Sequence, residues 1–271
     1  MNRTSDPQTL LAIAGDVLDG AAGRFVAGLG APSAVHKGPK DFATEVDLEL
    51  ERTITAELER RTGIEVHGEE YGGPATHSGD VWILDPIDGT FNYSSGLPTA
   101  GMLLALLRDG VPILGLTWLP LTAETFAAVA GGPLHRNGIP LPRLEKRTLA
   151  DSMISFGAFN LDSGGRFPGP YRFALLGELS RVSSRIRIRG STGADLAYTA
   201  SGSFGGAVVF GHHVWDNAAG VALVRAAGGI VTDLHGDDWH IGSKSVLAAA
   251  PGVHAELLDI LHALGDPGDA A

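Results

Sequence analysis

Residues 82–96 read WILDPIDGTFNYSSG, an apolar run that ends in two acids and a Gly-Thr pair. Trp82 to Leu84 have the character of a buried strand, which Asp85 closes. Pro86 fixes its own φ and stiffens the turn, so Asp88 is held near Asp85. Gly89-Thr90 then reads as the opening of a helix, where free N–H groups attract anions such as phosphate. One short segment thus offers carboxylates for hard cations beside amides for a phosphoryl group. No Lys or Arg follows until Arg108, so the carboxylates lack a basic partner nearby in sequence. The competing structural reading is that Asp85 merely ends a strand and Asp88 caps a helix.

Two further segments repeat the pattern. VHGEEYGG (66–73) places Glu69 and Glu70 after another short strand, again among glycines and with no basic partner. HHVWDNAAGVALVRAAGG (212–229) places Asp216 in the first turn of a helix with an apolar Ala and Val face. A solvated turn would explain the glutamates, and the helix dipole alone would favour Asp216. His67 belongs to no His-Glu-x-x-His metal motif. His212 and His213 are neighbours at a strand end, expected to point opposite ways, and read as structural. Oxygen-only ligands point to Mg²⁺. The missing positive charge is therefore expected to be two or more Mg²⁺ ions.

The whole chain bounds what these acids can do. Its 271 residues suffice for one large domain or two interlocked halves, and 44% apolar residues support a packed core. Glycine, at 38 residues, is about twice its usual share, implying tight turns and close backbone approaches. With no cysteine, disulfides, thiolate metal sites and cysteine nucleophiles are excluded. A net charge of −11 disfavours a nucleic-acid partner, since phosphate backbones are met by clustered Lys and Arg. The one basic run, SRIRIRG (184–190), alternates like a half-buried strand. The N-terminal apolar stretch is broken by Asp16 and Asp19 and does not read as a signal peptide. No stretch approaches the length of a membrane span, so a cytoplasmic protein is expected.

Periodicity places a helix over 9–29, with Leu10, Ile13, Ala14, Val17, Leu18, Ala21 and Phe25 on its apolar face. A second starts near Thr44, with Val46, Leu50, Ile54 and Leu58. Strands follow at 64–67 and 81–85, then a meander over 102–130 and a tight turn at Asn137-Gly138. Residues 140–172 read as irregular, with a surface loop at 163–170. Beyond it come strand 185–189, helix 192–202, strand 206–210, helix 215–227, two strands and helix 253–264. This mixture predicts a layered α+β architecture, one domain over 1–271 with halves of roughly 1–145 and 146–271.

GEE, WILDPIDGTFNY and WDNAAGVALVRAAGG, in that order, resemble the inositol monophosphatase family of Mg²⁺-dependent, Li⁺-sensitive phosphatases. KDFATEVDLELE (40–51) matches its upstream motif, and the likeness covers nearly the whole chain. It implies an αβαβα sandwich, usually a homodimer, that hydrolyses a small phosphorylated polyol, inositol 1-phosphate first, with two or three Mg²⁺. It makes Glu69, Asp85, Asp88, Asp216 and the Ile87 carbonyl the metal ligands, and the Gly89 and Thr90 amides the phosphate contacts. Asp47 and Thr90 would orient the attacking water and Glu70 would support the metals, although TEVD (44–47) also reads as a capping box. Ser191 and Thr192, in GSTGADLAY (190–198), are candidate substrate contacts. Val209 stands where inositol-cleaving members generally carry an acid, and Asp195 is a replacement acid nearby. Histidinol phosphate, fructose 1,6-bisphosphate and 3′-phosphoadenosine 5′-phosphate stay open as alternative substrates, and a non-catalytic regulatory scaffold as the alternative class.

Overall fold

The structure is a computed structural model that describes residues 6–38, 41–265 and 267. Residues 1–5 of the N-terminal segment and Lys40 of the upstream motif lie outside the described residues. Helix α1 (Pro7–Ala27) starts where the Asp6 side chain accepts from the Thr9 amide, with Pro7 in the first turn. A hairpin, β1 (Ser33–Gly38) and β2 (Asp41–Thr44), leads into α2 (Glu45–Thr62), which ends on Gly63 in the left-handed region. A seven-stranded sheet follows in chain order: β3 (Val66–Gly68), β4 (Asp80–Asp88), β5 (Gly101–Arg108), β6 (Val111–Leu119), β7 (Glu124–Val129), β8 (His135–Arg136) and β9 (Ile139–Pro140). Only the β3–β4 pair is parallel. The one-turn helix α3 (Thr90–Ser94) joins β4 to β5.

The second sheet comprises β10 (Met153–Phe156), β11 (Arg185–Arg187), β12 (Gly206–Val209), β13 (Ile230–Thr232) and β14 (Val246–Ala249), in the order β11-β10-β12-β14-β13. Its helices are α4 (Gly169–Val182), α5 (Thr192–Ala200), α6 (Val214–Ala226) and α7 (Val253–Leu264).

Strand side chains alternate between faces, and here both faces are covered. Trp82, Leu84, Leu104 and Leu106 pack on α1 and α2 through Leu18, Phe25, Ile54 and Leu58. Their neighbours Val81, Ile83, Leu103 and Ala105 turn to the other face and meet α5 and α6. The same middle layer receives Ala207, Val209, Val246 and Ala248 from the second sheet. Ile154, Phe156, Val208 and Leu247 face outward onto α4 and α7. The order helix pair, sheet, helix pair, sheet, helix pair is the expected αβαβα sandwich. Covering both faces explains why β4 and β5 read as unbroken apolar runs.

Two regions depart from the sequence reading. The stretch 140–172, expected to be irregular, contains β10 and the start of α4. β10 is four residues long and carries Ser155 inside it, too short for periodicity to register. The β1–β2 hairpin is the other, because β1 is exposed along nearly its whole length and shows no apolar alternation. Among the described residues no helix is long and apolar enough to cross a membrane.

Leu196 of α5 is fully buried at the centre of the middle layer, and α6 approaches so closely that a Cβ on Gly220 would stand 2.4 Å from Leu196 Cβ. Leu196→Ala should lower stability by about 2–5 kcal/mol. A urea titration should show the midpoint falling while the m-value holds.

Candidate active site

The parallel pair β3 and β4 aligns Gly68 with Leu84, so both strands deliver their next residue, an acid, at the same edge of the layer. Glu69 donates its amide to the Leu84 carbonyl at 3.1 Å, beside Asp85. The first turn of α6 brings Asp216 from the middle layer to the same place. Glu69, Asp85 and Asp216 each offer an oxygen, and the three oxygens lie within 4.8 Å of one another. Asp85 is only 1% exposed. Burial, then the charges of Glu69, Asp88 and Asp216, hold its carboxyl well above the usual range. A cluster of oxygen donors alone, with Asp85 buried at its centre, fits a hard divalent cation.

Asp88 is held in a different way. Ser191 Oγ donates to it at 2.5 Å, and the amides of Gly193 and Thr192 at 2.9 and 3.1 Å. These donors are the start of α5, for which Ser191 is also the cap. Burial nonetheless outweighs the bonds and pushes the Asp88 carboxyl up to about 6. Gly89 has φ +83°, and a Cβ there would lie 3.0 Å from the Thr99 carbonyl oxygen and 3.1 Å from that of Gly190. Glycine is required for both reasons. Thr90 Oγ1 donates to the Ile87 carbonyl at 3.0 Å and stands 3.5 Å from Asp47 Oδ1.

Asp47 closes the capping box expected from TEVD. Its Oδ2 accepts from the Thr44 amide at 2.8 Å and closes the capping box of α2, while Oδ1 faces Thr90.

The expectation that the glutamates have no basic partner is corrected. Lys37 Nζ, delivered by β1 from far upstream, donates to Glu69 at 2.7 Å and Glu70 at 2.8 Å. Burial opposes the Lys37 charge, but the two bonds prevail and raise its pKa. Glu70 is pushed up to about 7, since burial and the nearby charges of Glu69 and Asp47 outweigh its bond to Lys37.

Glu51 was also not singled out. It accepts from the amides of Glu70 and Tyr71 at 2.8 and 2.9 Å and so holds the glutamate turn in place. Gly68 makes room, because a Cβ there would sit 2.0 Å from Glu51 Oε1. A signal existed: Glu51 follows Asp47 by four residues, one turn along the same helix face.

On the far side of Asp88 a cavity of 320 Å³ is walled by Ser191, Thr192, Val209 and Arg172. Ser191 and Thr192 line it while spending donors on Asp88. Val209 is 4% exposed. Asp195 also lines the cavity, but its charge is matched by Arg189 at 2.8 Å. His212 and His213 do not diverge as expected; their rings stack at 4.5 Å, and His213 stacks on Trp215 at 4.6 Å. The chain has left β12 before residue 210, so strand alternation no longer applies.

Acids gathered at strand and helix ends beside a cavity fit a metal-dependent phosphate ester hydrolase. The chain belongs to the inositol monophosphatase family, whose model matches residues 5–265, and is a phosphomonoesterase. It is 59% identical over 267 residues to the inositol-1-monophosphatase ImpA of Mycolicibacterium smegmatis, covering 97% of each chain. It is 58% identical over 253 residues to the probable inositol 1-monophosphatase ImpA of Mycobacterium tuberculosis, covering 93% of this chain and 94% of that one. The solved inositol monophosphatase from Anabaena superposes with a TM-score of 0.83 at 28% identity, covering 97% of this chain and 98% of that one.

The raised carboxyls set a pH dependence. Glu70 and Asp88 titrate at about 7 and about 6 in the fold, against about 4 when unfolded. Over that window the folded state binds more protons, so these groups lower stability as pH rises. In EDTA, melting temperature should fall between about pH 5 and pH 8. Saturating Mg²⁺ should reverse the fall, by roughly 2.7 kcal/mol at ~100 times its dissociation constant, and more at the upper pH. Melting curves indifferent to Mg²⁺ and EDTA at both pH values would remove the metal assignment.

Proposed function

We propose that the protein hydrolyses small phosphate monoesters, inositol 1-phosphate first among them, with divalent cations held by Glu69, Asp85, Asp88, Asp216 and the Ile87 carbonyl. The observation that carries this reading is the cluster of Glu69, Asp85 and Asp216 oxygens beside the Asp88-Gly89-Thr90 turn. Bound there, such an ion would supply Lewis acidity, lowering the pKa of water and offsetting phosphoryl charge. The chain's own groups do the rest. The Gly89 and Thr90 amides receive phosphoryl oxygens, and Thr90 Oγ1 with Asp47 Oδ1 orients the attacking water. The water oxygen bonds to phosphorus, the ester P–O bond breaks, and the alcohol leaves with a proton. Glu70, anchored by Lys37 and by Glu51 through its amide, keeps Glu69 in place. Ser191 and Thr192 border the polyol, and Val209 gives its ring an apolar wall that accepts no hydrogen bond.

Mg²⁺ as the ion, two or three per chain, together with Li⁺ sensitivity, a homodimer and a cytoplasmic location, completes the proposal. The family resemblance supports these points.

Asp88→Asn should fold but lose at least ~10²-fold in turnover, because site electrostatics supply most of the rate. The assay is phosphate release from inositol 1-phosphate in saturating Mg²⁺, with a melting curve as the folding control. A wild-type rate would reduce Asp88 to an acceptor for the α5 amides.

A further inference from the structure

The cavity beside Asp88 contains a charged group with no part in the chemistry above. Arg172, in the first turn of α4, lines it with Ser191, Thr192 and Val209. Its guanidinium lies over the Phe210 ring, 4.5 Å from the centroid, and Nε donates to the Phe167 carbonyl at 2.6 Å. Phe210 is buried and set edge-on against Phe156. The planar group is therefore held in one orientation.

No carboxylate pairs with Arg172 among the described residues. Burial depresses its pKa with no acid opposing the shift. The other ion of the wall, Asp195, is matched by Arg189. The uncompensated charge of this wall is thus a single guanidinium, whose terminal nitrogens remain available as donors. Arginine in this state is suited to bidentate recognition of an oxyanion. Val209 adds neither charge nor acceptor. A volume of 320 Å³ is within the range of small-ligand sites, about 300–1,000 Å³.

We propose that Arg172 is the subsite for a second anionic group of the substrate, a phosphoryl or carboxylate group on the same polyol as the scissile phosphate. This rests on the phosphatase reading above. The scissile ester is hydrolysed as before, with the P–O bond broken and water supplying the new oxygen and the proton. The second anion is unchanged and orients the polyol from the opposite end. Arg172 sets specificity and touches no reacting atom.

The test compares substrates that differ only in the second anion. Glucose 1,6-bisphosphate is paired with glucose 1-phosphate, and galacturonic acid 1-phosphate with galactose 1-phosphate. Phosphate release is followed in Mg²⁺, with inositol 1-phosphate as the reference. Wild type should favour at least one doubly anionic partner by about tenfold or more in kcat/KM, mostly through KM. The pair that shows it distinguishes phosphoryl from carboxylate recognition. Arg172→Gln should bring that preference close to one, and Arg172→Lys should keep only part of it, because an ammonium supplies the charge without the forked donors, with melting curves reporting the fold. Turnover of inositol 1-phosphate without a preference in either pair would overturn the subsite and leave the parent reading standing. An Arg172→Gln variant that raises KM equally for both members of a pair would show Arg172 to be a packing residue only. No phosphate release from any of the five substrates would overturn both.

Discussion

Repulsion among closely set carboxylates is the constraint on which this molecule turns. Two unit charges about 4 Å apart interact by roughly 4 kcal/mol at an effective dielectric of about 20. Glu69, Asp85 and Asp216 are brought to that kind of range, and they come from two layers of the sandwich, the first sheet and the middle helices. They cannot separate without pulling β3, β4 or α6 out of a close-packed interior. The strain is relieved locally instead, through raised proton affinity on Asp85 and through Lys37 reaching across to Glu69 and Glu70. A divalent cation held among them would relieve it more completely, because it carries two charges. Stability of the sandwich and affinity for the ion are thus two expressions of one arrangement.

The acids of the site fall into two environments. Asp88, Glu51 and Asp47 are each met by backbone or hydroxyl donors: the start of α5, the amides of Glu70 and Tyr71, and the capping box of α2. Asp85 is crowded by other acids and has few donors of its own. Donors offset part of the cost of burying a carboxylate, whereas crowding by other acids adds to it. Acids of the same type therefore sit in different environments, set by which element ends around them. The chemistry lies mainly at the edge of the first sheet. The cavity beside Asp88 is walled by residues of α4, α5, β12 and the loops after β10 and β12.

Much of the site was legible because its motifs are local. Pro86, Gly89 and Thr90 stand within a few residues of Asp85 and Asp88, and turn chemistry over that range follows from residue types alone. Asp47 was legible as a capping residue, because TEVD is a local pattern. Lys37 was not, since it sits in an exposed hairpin with no periodic pattern and meets Glu69 only after β1 folds over the end of β3. Arg172 was hidden for a similar reason. It lies just past a stretch that reads as loop by composition, and its importance comes from Phe210 and from the missing counter-ion, both properties of packing.

The amino-acid sequence by itself determined most of the elements, their burial and the acids at their ends. Unbroken apolar runs such as Leu103–Leu107 demand cover on both faces, and a polar residue closing such a run must lie at the rim of a layer. Tertiary structure alone decided which rims coincide. The parallel β3–β4 register put Glu69 beside Asp85, α6 added Asp216, and α5 turned its N-terminal amides onto Asp88. It also decided the charge of the ring-side cavity, by pairing Asp195 with Arg189 and leaving Arg172 on Phe210. The physical reason is that local pattern sets what each segment buries, while electrostatic partners are chosen by distances between segments far apart in the chain.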